Sequence, residues 1–317
     1  MKLMIGAVSI SKDKYKSIHE EASKVFDEVV VNTFGRPLSA EEIETMWVGC
    51  DAILAGNERY TKDLIEKAPS TLKVISKHGV GVDSIDLEAC RKKGITVCNT
   101  PGANAQAVAE AAVGFILSAL RKIPQAHMNV VSNQWKRPEG NLYTGKTLGV
   151  IGMGNIGKRI IKCSEGFDVN FMAYDPYFDE KFASEHNVKK ASIDEILTTC
   201  DIITLHVPVT EETAGMINKN TLSKMKKNAI LINTARGDLV NEEDLYEALK
   251  NKVIAGAALD VLSKEPCYDS PLFTLDNIIV APHLAGNTVE STLGMGMKAL
   301  ENAIKVVKGQ EGAIIVK

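Results

Sequence analysis

Thr147-Leu-Gly-Val-Ile-Gly152-Met-Gly154-Asn-Ile-Gly157-Lys-Arg-Ile-Ile161 reads as an apolar strand, a G-x-G-x-x-G turn and the start of a helix, in that order. The order gives each glycine its own duty. Gly152 permits the tight turn, Gly154 lets the backbone approach a pyrophosphate, and Gly157 lets the helix pack closely on the strand. The amides of Asn155 and Ile156 then stand at a helix N-terminus, where unpaired N–H groups and partial positive charge hold phosphate oxygens. Asp175 follows eighteen residues past Gly157, at the end of the next apolar run. An acidic side chain there accepts hydrogen bonds from both adenosine ribose hydroxyls and repels a 2′-phosphate. Pro176 to Glu180 contain no Arg or Lys, so the pattern favours NAD over NADP. A second glycine-rich stretch, Gly79-Val80-Gly81-Val82-Asp83, opens no Gly-rich helix and does not read as a nucleotide site.

Outward from that turn, short β-branched runs alternate with helical patterns, the mark of parallel sheets covered by helices. Strands are expected at 147–151, 169–174, 202–205, 229–233, 254–259 and 277–280, making one six-stranded sheet. The first hundred residues supply a second set, at 3–8, 28–31, 51–55, 73–77 and 96–98. One helix between them begins after Leu38, where Ser39 and Glu42 make a capping box. Asn104 to Lys122 reads as a long, Ala-rich helix with apolar residues all round, hence buried on most sides. A final helix is expected near Val289 to Lys308, before the apolar tail Ala313-Ile-Ile-Val316. A terminal strand gains most by joining an existing sheet, so the tail is expected to return to the first unit. The fold class is therefore α/β, with two Rossmann-like or flavodoxin-like parallel-sheet domains and an interdomain cleft. Residues 1–100 with 288–317 would form one domain and 101–287 the other.

Composition narrows the partners. The 317 residues carry 37 Lys and Arg against 40 Asp and Glu, a net charge of -3, and 45% are hydrophobic. That balance describes a globular chain with ordinary cores, without the one-signed field that nucleic acid or an anionic membrane attracts. The longest nearly apolar stretch, Ala111 to Leu120, is half of the roughly 20 residues a bilayer span needs. Met1-Lys2 precedes only a brief apolar run and reads as an opening strand rather than a signal peptide, which points to the cytoplasm. The six cysteines, Cys50, Cys90, Cys98, Cys163, Cys200 and Cys267, include no C-x-x-C pair. Their scatter argues against a zinc site, or any other metal, and against a disulfide framework.

Several further segments carry a resemblance that covers essentially the whole chain. They are Lys77-His-Gly-Val-Gly-Val-Asp83, Asn99-Thr-Pro-Gly102 with Val108-Ala-Glu110, His206-Val-Pro208, Asn233-Thr-Ala-Arg-Gly237, Ala257-Ala-Leu-Asp-Val261, Glu265-Pro266 and Pro282-His283. With the glycine turn, they make the sequence resemble the NAD-dependent D-isomer-specific 2-hydroxyacid dehydrogenases. The likeness is closest to the catalytic core of the D-3-phosphoglycerate dehydrogenases. It implies hydride transfer between NAD and a D-2-hydroxy or 2-oxo acid, with Arg236, Glu265 and His283 as the catalytic triad. The likeness points to D-3-phosphoglycerate as a substrate; hydroxypyruvate and glyoxylate stay open as alternatives, as does a non-enzymatic, NAD-sensing, corepressor-like role.

The chemistry of those three side chains agrees with the resemblance. Histidine has the intrinsic pKa nearest neutrality, so His283 can take the hydroxyl proton and return it in the reductive direction. Glu265, bonded to the far ring nitrogen, would fix the tautomer and favour the imidazolium. Arg236 offers a planar fork to a carboxylate and its neighbouring oxygen.

The resemblance also assigns contacts. Cofactor contacts fall on Val207, Thr234, Asp260 and Gly286, and the amides of Val80 and Gly81 would take the substrate carboxylate. Lys77, Lys136 and Arg137 stand where a second anionic group would be held. Gly56 departs from the pattern, since some phosphoglycerate dehydrogenases place a phosphate-contacting Arg there, and Arg59 is the available substitute. The sequence stops at Lys317, before any serine-sensing extension. The helix beginning at Asn104 is a candidate interface for a homodimer.

Overall fold

The structure, a computed structural model, describes residues 1–316. The chain divides into two compact units, residues 1–104 with 287–317 and residues 105–286. In the first, β1 (Lys2–Ile5), α1 (Lys16–Ser23), β2 (Glu28–Val31), α2 (Ala40–Met46), β3 (Ala52–Ala55), α3 (Lys62–Glu66), β4 (Val74–Lys77), α4 (Leu87–Lys93) and β5 (Thr96–Cys98) alternate strictly. The five strands are all parallel, in the order β2-β1-β3-β4-β5. Side chains leave alternate faces of a strand, and both faces here are apolar. Met4, Ile53 and Ile75 enter one core, while Leu3, Ile5, Leu54 and Val74 enter the other. Burial on both faces is what a parallel sheet requires, and it explains why these strands read as unbroken apolar runs.

The second unit opens with α5 (Ala105–Arg121) and α6 (Ile123–Val131). It continues through β6 (Thr147–Ile151), α7 (Asn155–Ser164), β7 (Asn170–Tyr174), α8 (Glu180–Glu185), β8 (Val188–Lys190), α9 (Ile193–Thr199) and β9 (Ile202–Leu205). The chain then forms α10 (Lys219–Leu222), β10 (Ile230–Asn233), α11 (Glu242–Lys250), β11 (Gly256–Leu259) and β12 (Ile278–Val280). Seven parallel strands lie in the order β12-β11-β10-β9-β6-β7-β8. The sheet holds one strand more than the sequence pattern suggests. Val188 is the only buried residue of β8, and Lys189 and Lys190 are exposed, so this short edge strand carries no hydrophobic periodicity. Exposed lysines suit an edge because they discourage further strand pairing.

The order reverses between β6 and β9, creating the switch point outside whose carboxyl ends open α/β sheets bind ligands. The glycine turn follows β6 and His206 follows β9. On α5, Gln106, Glu110 and Gly114 are exposed and share one face at helical spacing. The helix therefore has an open stripe, where the sequence suggested apolar residues all round.

The last helix, α12 (Val289–Val307), belongs with the first unit. Ser76 Oγ on β4 donates to Ala299 O at 2.8 Å, and Asn302 Nδ2 donates to Asn99 O at 2.9 Å. Beyond α12 the tail runs antiparallel to β5 as a single bridge between Cys98 and Ile315, with Val316 N donating to Val97 O at 2.8 Å. It reaches the sheet without becoming a full strand.

Candidate active site

The glycine turn is built by steric exclusion. Gly152 has φ +101°, and a Cβ on it would lie 2.5 Å from His206 O. A Cβ on Gly157 would lie 2.2 Å from Gly152 O, so only glycine lets α7 rise this close to the turn. Gly154 meets nothing within 4 Å; the space before it is open. It caps α7, leaving the amides of Asn155 and Ile156 in the first turn. Asp175 is tied to the same turn. Its Oδ2 accepts from Met153 N and its Oδ1 from Tyr177 N, each at 2.8 Å. Each carboxylate oxygen keeps a further lone pair for a hydroxyl.

Across the switch point, the His206 ring pairs Nε2 with Thr204 Oγ1 at 2.7 Å, while Nδ1 is enclosed without a partner. Burial pushes its pKa down to about 3, so the ring is neutral and braces the end of β9. Val207 follows, half-buried. At the end of β10, Thr234 is buried with its Oγ1 unpartnered. An open glycine cradle, a free helix N-terminus, a poised carboxylate and an orphaned hydroxyl at one end of one sheet fit a dinucleotide.

Arg236, Glu265 and His283 all lie in this second unit, on the loops that follow β10, β11 and β12. Asn233 shapes the first loop, its Nδ2 donating to Arg236 O at 2.8 Å and its Oδ1 accepting from Ala235 N at 3.0 Å. Glu265 is held at both oxygens: Leu262 N donates to Oε1 at 3.0 Å, and His283 Nδ1 pairs with Oε2 at 2.8 Å. His283 has φ +53°, a left-handed conformation that a non-glycine residue adopts only when its surroundings impose it.

Asp260 imposes it. Its backbone oxygen accepts from His283 N at 2.8 Å, and its two carboxylate oxygens accept from Leu284 N and Ala285 N, also at 2.8 Å. Burial raises the carboxyl's pKa, against the pull of those two N–H donors. Asp260, which the resemblance assigns to the cofactor, is here the anchor of the histidine turn, and Gly286 ends that turn, half-buried. Sequence reasoning missed this anchoring, because the partners are backbone amides more than twenty residues away.

The triad's loops also touch. A Cβ on Gly237 would lie 2.0 Å from Leu262 C and 2.2 Å from Ser263 N, so the loop bearing Glu265 rests directly on the turn that follows Arg236. No spacing argument finds this contact. Arg236 itself is half-buried, with Nη1 donating to Ala235 O at 2.7 Å.

The remaining candidates fall on other segments of the chain. Lys136 and Arg137 are exposed on the segment after α6. In the first unit, Gly79-Val80-Gly81 follows β4, fixed by Asn99 Nδ2 donating to Val80 O at 2.8 Å and by Gly79 N donating to Thr100 Oγ1 at 3.1 Å. Lys77 is 6% exposed. Its ammonium donates to Gly56 O and reaches Asn57 Oδ1 and Ser84 Oγ at 3.4 Å. It therefore braces both ends of the neighbouring turns.

The profile of the D-isomer specific 2-hydroxyacid dehydrogenase NAD binding domain matches residues 113–285. The D-3-phosphoglycerate dehydrogenase of Methanocaldococcus jannaschii is 42% identical over 297 residues, covering 92% of this chain and 56% of that one. Among solved structures, the apo D-lactate dehydrogenase from Escherichia coli superposes with a TM-score of 0.86 at 26% identity, over 100% of both chains. The D-lactate dehydrogenase with NAD+ from Lactobacillus jensenii gives 0.81 at 28% identity, again over 100% of both. The chain belongs to the D-isomer specific 2-hydroxyacid dehydrogenase family, and its second unit carries that family's NAD binding domain. It spans about half the length of the curated relatives it matches.

Proposed function

We propose that this chain is an NAD-dependent oxidoreductase that interconverts D-2-hydroxy acids and 2-oxo acids. The observation that carries the reading is the 2.8 Å pairing of His283 Nδ1 with Glu265, whose loop rests on the Arg236 turn in the unit with the NAD binding domain. When bound, NAD supplies or accepts the hydride. An ionised Glu265 keeps the proton on Nδ1, which leaves Nε2 to exchange a proton with the substrate oxygen. Arg236 offers its fork to the carboxylate and adjacent oxygen, countering charge that builds as the bond to oxygen changes order. The resemblance assigns the substrate carboxylate to the amides of Val80 and Gly81 as well. Residues 1–100 and 288–317 then act as the substrate-binding domain, and 101–287 as the NAD-binding domain.

D-3-Phosphoglycerate is the substrate that the 42% identical relative names, and D-lactate and glyoxylate are named by structures of the same fold. The buried, internally partnered Lys77 and the Gly56 departure favour a small acid without a phosphate, such as hydroxypyruvate or glyoxylate. The six cysteines are free thiols, four of them buried, which suits a reducing, cytoplasmic setting. Among the described residues no helix is long and apolar enough to cross a membrane. The chain pairs as a homodimer through the α5–α6 region. On α6, Ile123, Met128, Val130 and Val131 are each at least half exposed, and no residue of that helix is buried. An apolar surface of this kind marks an interface, and sedimentation would read a monomer if it does not.

Loss of NADH absorbance with hydroxypyruvate, glyoxylate, 2-oxoglutarate and phosphohydroxypyruvate tests the reading. Turnover of at least one is expected. NADH binding with turnover of none would replace it with a nucleotide-sensing protein.

A further inference from the structure

Glu242 lies outside every motif that identifies the family, and the reaction as described makes no use of it. It is the first residue of α11, preceded by the cap Asn241, whose Oδ1 accepts from Asp244 N at 3.1 Å. Asn241 N in turn donates to Ile217 O at 2.8 Å, so the start of this helix is tied to the segment that pairs with Val240 as a single bridge. A carboxylate in a first helical turn is favoured by the positive end of the helix. From there Glu242 reaches across to the loop after β11, where its Oε1 accepts from Ser263 N at 2.7 Å.

That loop has two consecutive amides to satisfy and no regular structure to satisfy them. Leu262 N is taken by Glu265 Oε1 and Ser263 N by Glu242. Beneath both amides lies Gly237, close enough that a Cβ would collide with Leu262 C at 2.0 Å and Ser263 N at 2.2 Å. The loop is thus seated on the turn after Arg236 and latched from the side by Glu242. Because Glu265 Oε1 holds the same loop that Glu242 holds, a shift at Ser263 carries Glu265 away from the His283 ring.

Resting on the dehydrogenase reading above, we propose that Glu242 is a positioning residue, a carboxylate strut that fixes the Glu265 loop against the Arg236 turn so that Glu265 stays in register with His283. Its charge makes the bond to Ser263 N stronger than a neutral acceptor would. Glu242 stands six residues after Arg236, beyond the Gly237–Leu239 turn on which the Glu265 loop rests. Small displacements of such groups are costly, since about one ångström of misplacement removes up to a hundredfold of rate.

The test compares Glu242→Ala, Glu242→Asp and Glu242→Gln with the unaltered protein by three readouts. These are kcat and KM for the best 2-oxo acid, NADH affinity by fluorescence, and the ring-nitrogen NMR shifts of His283, which report its tautomer. Glu242→Ala is expected to lower kcat by about ten- to a hundredfold, with NADH affinity unchanged and the His283 ring moved to mixed tautomers. Glu242→Gln, which keeps an acceptor oxygen, should restore most of both. Glu242→Asp keeps the charge but withdraws the oxygen by one carbon, so it carries the test if the alanine variant does not fold, and an intermediate loss is expected. Wild-type kcat together with an unmoved His283 ring in the folded variants would overturn the proposal. If the unaltered protein reduces no 2-oxo acid, the dehydrogenase reading falls instead, and the His283 ring shifts then decide the strut alone.

Discussion

His283 Nδ1 and Glu265 Oε2 stand 2.8 Å apart, although eighteen residues separate them in the chain. The pairing occupies Nδ1, so on the proposed reading Nε2 is the nitrogen that exchanges the proton. His283→Ala should therefore lower turnover by about 10² to 10⁴-fold, the usual contribution of a positioned acid or base. NADH affinity should stay nearly intact, because the glycine turn is untouched. Glu265→Gln retains an acceptor oxygen without the charge, so its loss should be smaller. Steady-state kinetics and NADH fluorescence titration measure both, and undiminished turnover in His283→Ala would remove the histidine from the chemistry.

Gly154 and Gly157 separate binding from folding. A Cβ on Gly157 meets the Gly152 carbonyl at 2.2 Å, whereas one on Gly154 meets nothing within 4 Å. Gly157→Ala should destabilise the protein by about 1–3 kcal/mol through overpacking against backbone. Gly154→Ala should leave urea unfolding of the cofactor-free protein within about 0.5 kcal/mol of wild type, yet weaken NAD binding, since the new methyl stands where the pyrophosphate approaches. Equal effects on both quantities in both variants would show that the glycines do not divide the work this way.

Asp175 has each of its oxygens occupied by one backbone N–H of the turn region, with acceptor capacity left over. Asp175→Ala should weaken NAD binding and narrow the preference over NADP, as it removes both the ribose acceptor and the repulsion of a 2′-phosphate. The ratio of kcat/KM for NADH and NADPH checks this. An unaltered ratio would mean that the ribose is read elsewhere.

The enclosed ring of His206 makes stability depend on pH in a defined direction. Its pKa is pushed down to about 3 by burial, whereas an unfolded histidine titrates near 6.5. As pH falls, the unfolded chain binds the proton first. The stabilisation is therefore complete above about pH 6.5 and is lost progressively as pH falls toward about 3. His78, half-buried and also lowered, chiefly by desolvation, acts in the same direction. His206→Gln should flatten part of the decline in urea midpoint across that window. An identical decline in the variant would assign the effect to other groups.

Much of this was legible in the sequence because the signals are local. The glycine turn, the Ser39–Glu42 capping box of α2 and the apolar strand runs each span a few residues, and propensity acts at that range. Arg236, Glu265 and His283 were singled out through motif resemblance, which names residues without showing what holds them. β8 was not legible, since two of its three residues are exposed lysines and its pairing with β7 decides its conformation. Nor was the anchoring of His283 by Asp260 or of Ser263 by Glu242, because both depend on long-range side-chain bonds to irregular backbone. Lys77 shows the opposite limit: its charge suggested a ligand contact, and only the fold reveals its stem buried beneath Gly79 and its ammonium among the 56–57 and 84 positions.

The most direct test follows the transferred hydrogen itself. The protein is incubated with a 2-oxo acid and NADH deuterated at the nicotinamide C4 position on the transferred face, and the product is analysed by mass spectrometry and chiral separation. The account predicts a D-2-hydroxy acid carrying the label at C2, formed in step with NADH loss and slowed by about 10² to 10⁴-fold in His283→Ala. Product without the label, an L-hydroxy acid, or label transfer undisturbed by loss of His283 would contradict it.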